Sequence, residues 1–263
     1  MIDSLAAAST RPVVGVLADN SPEPEVEAIA RNAGFDYLRL SNRGYGAAAN
    51  AAVQALPDSV AWILVTNPDV VFHPGSIDSL IKVAESDPAI GEVGPRIYDA
   101  DGSIYPSARA VPSLRMGIGH ALLGKIRPEN RWTTRYLQNS DLESREIRSV
   151  GWLSGACLLL KREAFDLVGG FDEKYFMYFE DVDLGYRLSK AGFSNVYDPV
   201  AEIEHIGAHS TSGESERMIK AHHASASLFI ARKYPGFVLA PLRLMLNAGL
   251  RIRSSIERMA TAR

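Results

Sequence analysis

The sequence predicts an α/β fold with a doubly wound, mostly parallel sheet. Three observations carry that expectation. β-Branched runs alternate with helical patterns from about residue 13 to residue 86. The run Val60 to Thr66 is almost continuously apolar, as in a strand covered on both faces. Two strand ends deliver polar residues, Asp19-Asn20 and Asn67-Pro68-Asp69, and ligands of open α/β sheets gather at such carboxyl ends.

In order along the chain, residues 1–11 are small and polar and are expected to be frayed. Val13, Val14, Val16 and Leu17 form the first strand, stopped by Asp19-Asn20-Ser21-Pro22. Glu25 to Asn32 follows as a helix ending before Gly34, and Tyr37 to Leu40 as a strand. Asn42-Arg43-Gly44-Tyr45-Gly46 then leads into a small-residue helix that includes Asn50. Glycines ahead of a helix let backbone N–H groups approach an anion, and they also simply make turns. After Asp69 a helix is expected over Gly75 to Ser86, with Ser76 as its cap.

Gly91 to Arg96 is a strand, and Asp99-Ala100-Asp101-Gly102 a hairpin turn. Residues 110–149 have weak periodicity and many arginines, and are expected to be an irregular segment beside an acceptor site. Val150 to Leu160 holds a strand with Trp152, Ser154 and Gly155, followed by a helix over Arg162 to Val168. Asn195 to Tyr197 and Ala201 to His205 are expected as two further strands, and the chain is helical from Glu214.

Between these lies Phe171 to Gly192, where an aromatic run meets Glu180, Asp181 and Asp183 on the first turn of a helix that ends at Gly192. Acids on a first turn suit the helix dipole. A carboxylate held beside aromatic rings at a cleft can equally serve as a general base. Asp69 has the same two readings, turn residue or ligand. His205 is either a packed histidine or a ligand, and Trp152 either core or a wall of a site.

Composition narrows the function. Across 263 residues the hydrophobic fraction is 46% and the formal net charge −3, so no overall field draws nucleic acid. The single cysteine, Cys157, sits in an apolar run and is expected to be a buried thiol in a reducing, cytoplasmic setting. Neither a signal peptide nor a membrane span is expected. Over residues 228–263 seven Arg or Lys face one Glu. Leu242, Met245, Leu246, Ile252 and Ile256 are expected on one side of this terminal helix, with Arg243, Asn247, Arg251, Ser254 and Arg258 on the other. Such a helix lies on an anionic membrane face, or packs on the domain with a solvated basic side.

The segments ADNS (18–21), NRGYGAAAN (42–50), NPDV (67–70), GWLSGACLLLKREAFDLVGGFDEKYFMYFEDVDL (151–184) and EHIGAHS (204–210) resemble the inverting glycosyltransferases of family 2, which have the GT-A fold. Within that family DGSIYPSAR (101–109), RWTT (131–134) and GWLSGACLL look closest to actinobacterial rhamnosyltransferases. These move L-rhamnose from a dTDP sugar to N-acetylglucosaminyl-diphospho-decaprenol. The resemblance implies a GT-A domain over residues 12–215 and a membrane-associating helical extension over 216–263. Asp181 is implied as the catalytic base, paired with Glu180. Asp19, Asn20, Asn42, Gly44, Gly46, Asn50 and Asn67 are implied for the nucleotide sugar, Trp152, Ser154 and Gly155 for the acceptor. Asp69 and His205 are implied for Mg2+ or Mn2+. The implied partners are dTDP-L-rhamnose, a polyprenyl-diphosphate sugar and the inner face of the cell membrane.

Two departures from the family pattern stand out. The metal motif offers only Asp69, and the 11 residues ahead of Pro12 are too short for the strand and helix that open the family fold. The expectation is therefore a fold lacking that first strand and helix. Two alternatives follow: a family 2 transferase with another nucleotide-sugar donor, or a silent protein that only binds sugar nucleotide or a membrane surface.

Overall fold

The computed structural model describes residues 1–21, 25–113, 143–207 and 216–261, with side chains unassigned at 216–217 and 251–261. The irregular segment expected over 110–149 lies mostly outside these residues, as do the RWTT piece and the far end of the terminal helix's two faces.

The sheet's core is β10 (Cys157–Lys161), whose side chains alternate between two apolar layers. Cys157 and Leu159 face one layer; Leu158 and Leu160 face the other. β10 lies between β3 (Trp62–Thr66) and β5 (Ile90–Asp99). β11 (Ser194–His205) and β4 (Val70–Phe72) complete the order β3-β10-β5-β11-β4. Two short strands join the margins: β6 (Ile104–Tyr105) forms the expected hairpin with β5, and β8 (Arg148–Val150) pairs with β11. Within this sheet only β5 and β11 run parallel; the other pairings are antiparallel. The sheet is mixed, which corrects the expectation of a mostly parallel one. An apolar run reports that both faces of a strand are covered, and that is equally true of a strand in either direction.

A separate two-stranded parallel sheet holds β1 (Val16–Asp19) and β2 (Asp36–Arg39), linked by α2 (Val26–Asn32). A third joins β7 (Ala108–Arg109) to β9 (Trp152–Leu153). One face of the main sheet carries α4 (Ser76–Ala84) with Ile77, Leu80 and Ile81 inward. The opposite face carries α3 (Tyr45–Ala55), α5 (Arg162–Val168) and α6 (Glu180–Lys190). The result is three layers, α/β/α.

Several expectations are corrected here. Residues 1–11 are not frayed: Ile2–Ala8 form α1, with Ala8 fully buried in the core. Ser4 Oγ accepts the Phe72 N–H at 3.0 Å, and Thr10 N–H donates to Asp78 at 2.9 Å. Met1, Leu5 and Ala8 fall on one helical face, a pattern hidden by the small residues between them. A helix therefore does precede the first strand. Ser76 is the first residue of α4 and makes no cap; Gly75, left-handed at φ 73°, stands at the N-cap. The two strands expected over 195–205 are one strand with a register shift between Asp198 and Glu202.

Past the sheet, α7 (Glu216–Lys233) turns at Gly236 into α8 (Ala240–Thr261). Here too the faces differ from expectation. Leu242 and Leu246 are half-buried, but Met245 is exposed and Arg243 is half-buried. Arg243 Nη1 donates to the carbonyls of Tyr234 (2.7 Å) and Gly236 (2.5 Å), so it closes the turn instead of facing solvent.

Candidate active site

The base candidate owes its position to two strained residues. Tyr178 and Phe179 have φ of 67° and 65°, a conformation that costs a residue with a Cβ about 1–2 kcal/mol. Phe179 is the N-cap of α6, so the strained pair aims the first turn of that helix. The surroundings hold the pair in place. Tyr45 N–H donates to Phe176 O at 3.2 Å, and Ser225 Oγ on α7 donates to Met177 O at 2.8 Å. The His222 ring meets both aromatic rings edge-on, with centroids 5.4 Å apart. Below them Asp183, fully buried, accepts from Tyr175 Oη, Arg187 Nε (2.6 Å) and Arg232 Nε (2.5 Å). Arg232 also pairs with Asp172.

Asp181 accepts one backbone N–H on each oxygen, Val182 on Oδ1 at 2.8 Å and Gly155 on Oδ2 at 3.0 Å. Each oxygen keeps a lone pair for a substrate proton. Burial raises the Asp181 pKa above its usual value; the two N–H bonds and Arg109 oppose that rise. Glu180 is buried, and its Oε2 has no partner. Burial first, then the neighbouring Asp181 charge, pushes Glu180 up to about 8. The hydrogen bonds favour the charged form of Asp181, and burial favours the neutral form of Glu180.

Asp69 and His205 are brought together by the β4/β11 ladder, in which His205 pairs with Val70. His205 Nε2 lies 3.1 Å from Asp69 Oδ1 and 3.1 Å from Asn67 Nδ2. One ring nitrogen cannot satisfy both: as a donor it faces the Asn67 amide N–H, as an acceptor it faces the carboxylate. Asp69 Oδ1 is buried without a hydrogen-bond donor. Gly207 closes the cradle; a Cβ there would lie 1.8 Å from Asp69 Oδ2. A hard divalent cation would turn Oδ1 and Nε2 into neighbouring ligands, since adjacent octahedral ligands at ~2.1 Å are about 3 Å apart. Among the described residues there is no group of three or more His, Cys, Asp or Glu that could hold a metal, so two protein ligands are what this cradle offers.

The two halves are linked through the backbone at residues 155 and 156. Asn67 N–H donates to Ala156 O at 2.9 Å, and the adjacent Gly155 holds Asp181. Tyr45, half-buried, donates from its hydroxyl to Gly155 O at 2.6 Å. Burial, and then the charges of Glu180, Cys157, Asp181 and Asp69, hold the Tyr45 phenol well above its usual pKa. The same hydroxyl thus senses the carboxylates of both halves. Of the residues expected for the acceptor, Trp152 is half-buried, its Nε1 donating to Ala110 O at 3.1 Å, with Arg109 5.5 Å from its ring centroid. Ser154 N–H donates to Ser107 O at 2.8 Å.

Other expected residues have local work that absorbs their polar atoms. Asp19 is buried and accepts from Ser21, Tyr37 (2.8 Å) and Arg39 (2.7 Å), which hold its pKa at about 2 against the opposing effect of burial. Asn20, next to it, is half-buried. Asn42 Oδ1 accepts from Gly44 N–H at 3.3 Å. Asn50 is a strut: its amide both donates to and accepts from the Phe171 backbone at 2.9 Å. A Cβ on Gly44 would lie 2.2 Å from Phe176 O, and one on Gly46 2.7 Å from Phe171 Cβ. Both glycines let the 171–176 segment close on α3. A cavity of about 530 Å³ behind α3, lined by Asn50, Gln54, Arg162, Arg187 and Arg232, contains neither Asp69 nor Asp181. Tyr45, Arg109 and Gly207 were missed in the sequence. Tyr45 and Gly207 lie inside motifs read there for other residues, so proximity was the signal at hand.

Two solved structures superpose on this chain and share its fold. A mannosyltransferase from Pyrobaculum calidifontis, in complex with GDP-Man and Mn2+, superposes with a TM-score of 0.51 at 14% identity, covering 99% of this chain and 81% of its own. GalNAc-T7 with UDP, GalNAc and Mn2+ has the same TM-score at 15% identity; it covers 91% of this chain, which spans about half (48%) of that protein. The chain belongs to glycosyltransferase family 2: the family described as "Glycosyltransferase like family 2" matches residues 1–223. The chain is 47% identical over 267 residues to an N-acetylglucosaminyl-diphospho-decaprenol L-rhamnosyltransferase of Mycobacterium tuberculosis, covering 96% of this chain and 86% of the relative. It is also 28% identical over 228 residues to the rhamnosyltransferase WbbL of Escherichia coli K12, covering 83% and 82%.

Proposed function

We propose that this glycosyltransferase moves L-rhamnose from dTDP-L-rhamnose to a polyprenyl-diphosphate-linked N-acetylglucosamine, inverting the anomeric centre, at the inner face of the cell membrane. The observation that carries this reading is the 47% identity along 96% of the chain. Residues 12–215 form the transferring domain, and 216–263 the extension that meets the membrane.

A sugar hydroxyl is a poor nucleophile, and a placed base speeds its attack by roughly 10²–10⁴-fold. Asp181 takes the hydroxyl proton on a free lone pair. The acceptor oxygen bonds the anomeric carbon from the face opposite the diphosphate, whose bond to that carbon breaks. Gly155, Tyr45 and the first turn of α6 fix the base, and Glu180 keeps its proton so that a second charge does not compete. Trp152, Ser154 and Gly155 line the acceptor side. The loop over Asn42 to Gly46, with Asp19, Asn20 and Asn67, borders the nucleotide sugar, while Asn50 braces the loop from behind. Asp69 and His205 would hold Mg2+ or Mn2+, which supplies neutralisation of the leaving diphosphate when bound.

The test is a transfer assay with a lipid-diphosphate-GlcNAc acceptor and a panel of nucleotide sugars. Turnover with dTDP-L-rhamnose above the others, abolished in Asp181→Asn with donor binding retained, is expected. Preference for a UDP or GDP sugar overturns the donor, and full turnover by Asp181→Asn overturns the base.

A further inference from the structure

The corner between α7 and α8 presents apolar side chains outward. Phe237 is 87% exposed, Val238 76%, Leu244 71% and Met245 58%. Pro241 and Ala248 are exposed too, and 241, 244, 245 and 248 follow one face of α8. The cation of this turn, Arg243, is tied down by the carbonyls of Tyr234 and Gly236, so the outward stripe from 237 to 248 carries no charge. Single exposed apolar residues are ordinary; a contiguous stripe of this kind marks an interaction surface.

We propose that this corner is a membrane-insertion surface, with Phe237, Val238, Leu244 and Met245 entering the headgroup–acyl boundary of an anionic bilayer. The choice of partner rests on the lipid-linked acceptor proposed above, and two observations support it. The segment 228–263 has seven basic residues to one acidic, which suits anionic lipid and repels a second copy of itself. The corner also adjoins the acceptor side. Four residues before Phe237, Lys233 donates to Pro112 O, and the preceding Arg232 pairs with Asp172 and Asp183 beneath the base. Ala110, two residues from Pro112, receives the Trp152 indole. An acceptor whose lipid tail stays in the bilayer would thus present its sugar to Asp181 from the side on which the corner inserts. The surface differs from the solvated or lipid-facing basic side expected in the sequence: here the apolar residues enter.

The experiment is flotation of the full chain with vesicles of phosphatidylcholine, with and without phosphatidylglycerol, comparing wild type with the double variant Phe237→Ser/Leu244→Ser. Wild type is expected to float with the anionic vesicles, and the variant to partition about 10- to 100-fold more weakly from the lost apolar burial. Transfer to a short-chain, water-soluble acceptor is expected to be unchanged in the variant, because neither residue touches the site. Equal flotation of both proteins, or none by wild type, overturns the proposal. So does a wild-type dimer that the variant abolishes without vesicle binding. Flotation by a wild type that transfers rhamnose to neither acceptor leaves this surface standing and removes the proposed reaction.

Discussion

Tyr45 and Asp181 are joined through a single residue, Gly155: the Tyr45 hydroxyl donates to Gly155 O at 2.6 Å, and Gly155 N–H donates to Asp181 Oδ2 at 3.0 Å. The loop expected to border the donor is thereby connected to the proposed base by two hydrogen bonds. Tyr45→Phe keeps the ring and its edge-to-face contact with Phe171, and removes only the first bond. A net loss of about 1 kcal/mol is typical for such a bond, equivalent to roughly a five-fold change. kcat is expected to fall by about that factor with the donor KM little changed. A fall in donor affinity with kcat preserved would place Tyr45 in nucleotide binding instead.

That link could not be read in the sequence, because 110 residues separate Tyr45 from Gly155. Local patterns did place Asp181 on a first turn and Asp69 at a strand end, since helix starts and strand stops are written in neighbouring residues. The pairing of Asp69 with His205 came only from resemblance; physically it depends on a ladder between β4 and β11 that no local pattern specifies. Strand direction was illegible for a similar reason: alternation and apolarity report which faces are covered, and leave the hydrogen-bonding partner open. Asn50 shows the reverse case, a motif residue expected at the ligand whose amide is spent on the Phe171 backbone.

The raised pKa of Glu180 has a consequence for pH. Burial pushes Glu180 up to about 8, which favours its neutral form at pH 7. Glu180→Gln is isosteric with that neutral form. Its transfer rate at pH 7 is expected within about two-fold of wild type, and any change in wild-type rate as pH rises through about 8 is expected to vanish in the variant. A rate at pH 7 reduced as deeply as that of Asp181→Asn would make Glu180 the base.

The Asp69–His205 conflict predicts a stability response to metal. One oxygen and one nitrogen 3.1 Å apart, the oxygen buried without a donor, should gain from a cation even before substrate arrives. Mn2+ with dTDP is expected to raise the Tm of wild type, and the rise should be lost in Asp69→Asn and weakened in His205→Ala. An undiminished rise in Asp69→Asn would move the metal elsewhere. Activity is not needed for this readout, so it separates metal binding from chemistry.

Glu92 offers a test that lies outside the reaction. Its side chain is fully buried in β5, neither oxygen has a partner, and a Cβ on Gly185 of α6 would lie 3.0 Å from Oε1. Burial, with the Asp181 charge second, raises its pKa well above 4.5. A carboxyl whose folded pKa is raised binds its proton more tightly in the native state. Its contribution is fully present below the unfolded value of about 4.5 and is lost as pH rises towards the folded value. Glu92→Gln cannot ionise and has nearly the same shape. The variant is therefore expected to be as stable as wild type near pH 4.5 and more stable at pH 7.5, with urea midpoints across that range as the measurement. A variant less stable than wild type at both ends would mean that the carboxyl makes a hydrogen bond that the amide cannot replace, and that burial alone does not govern this site.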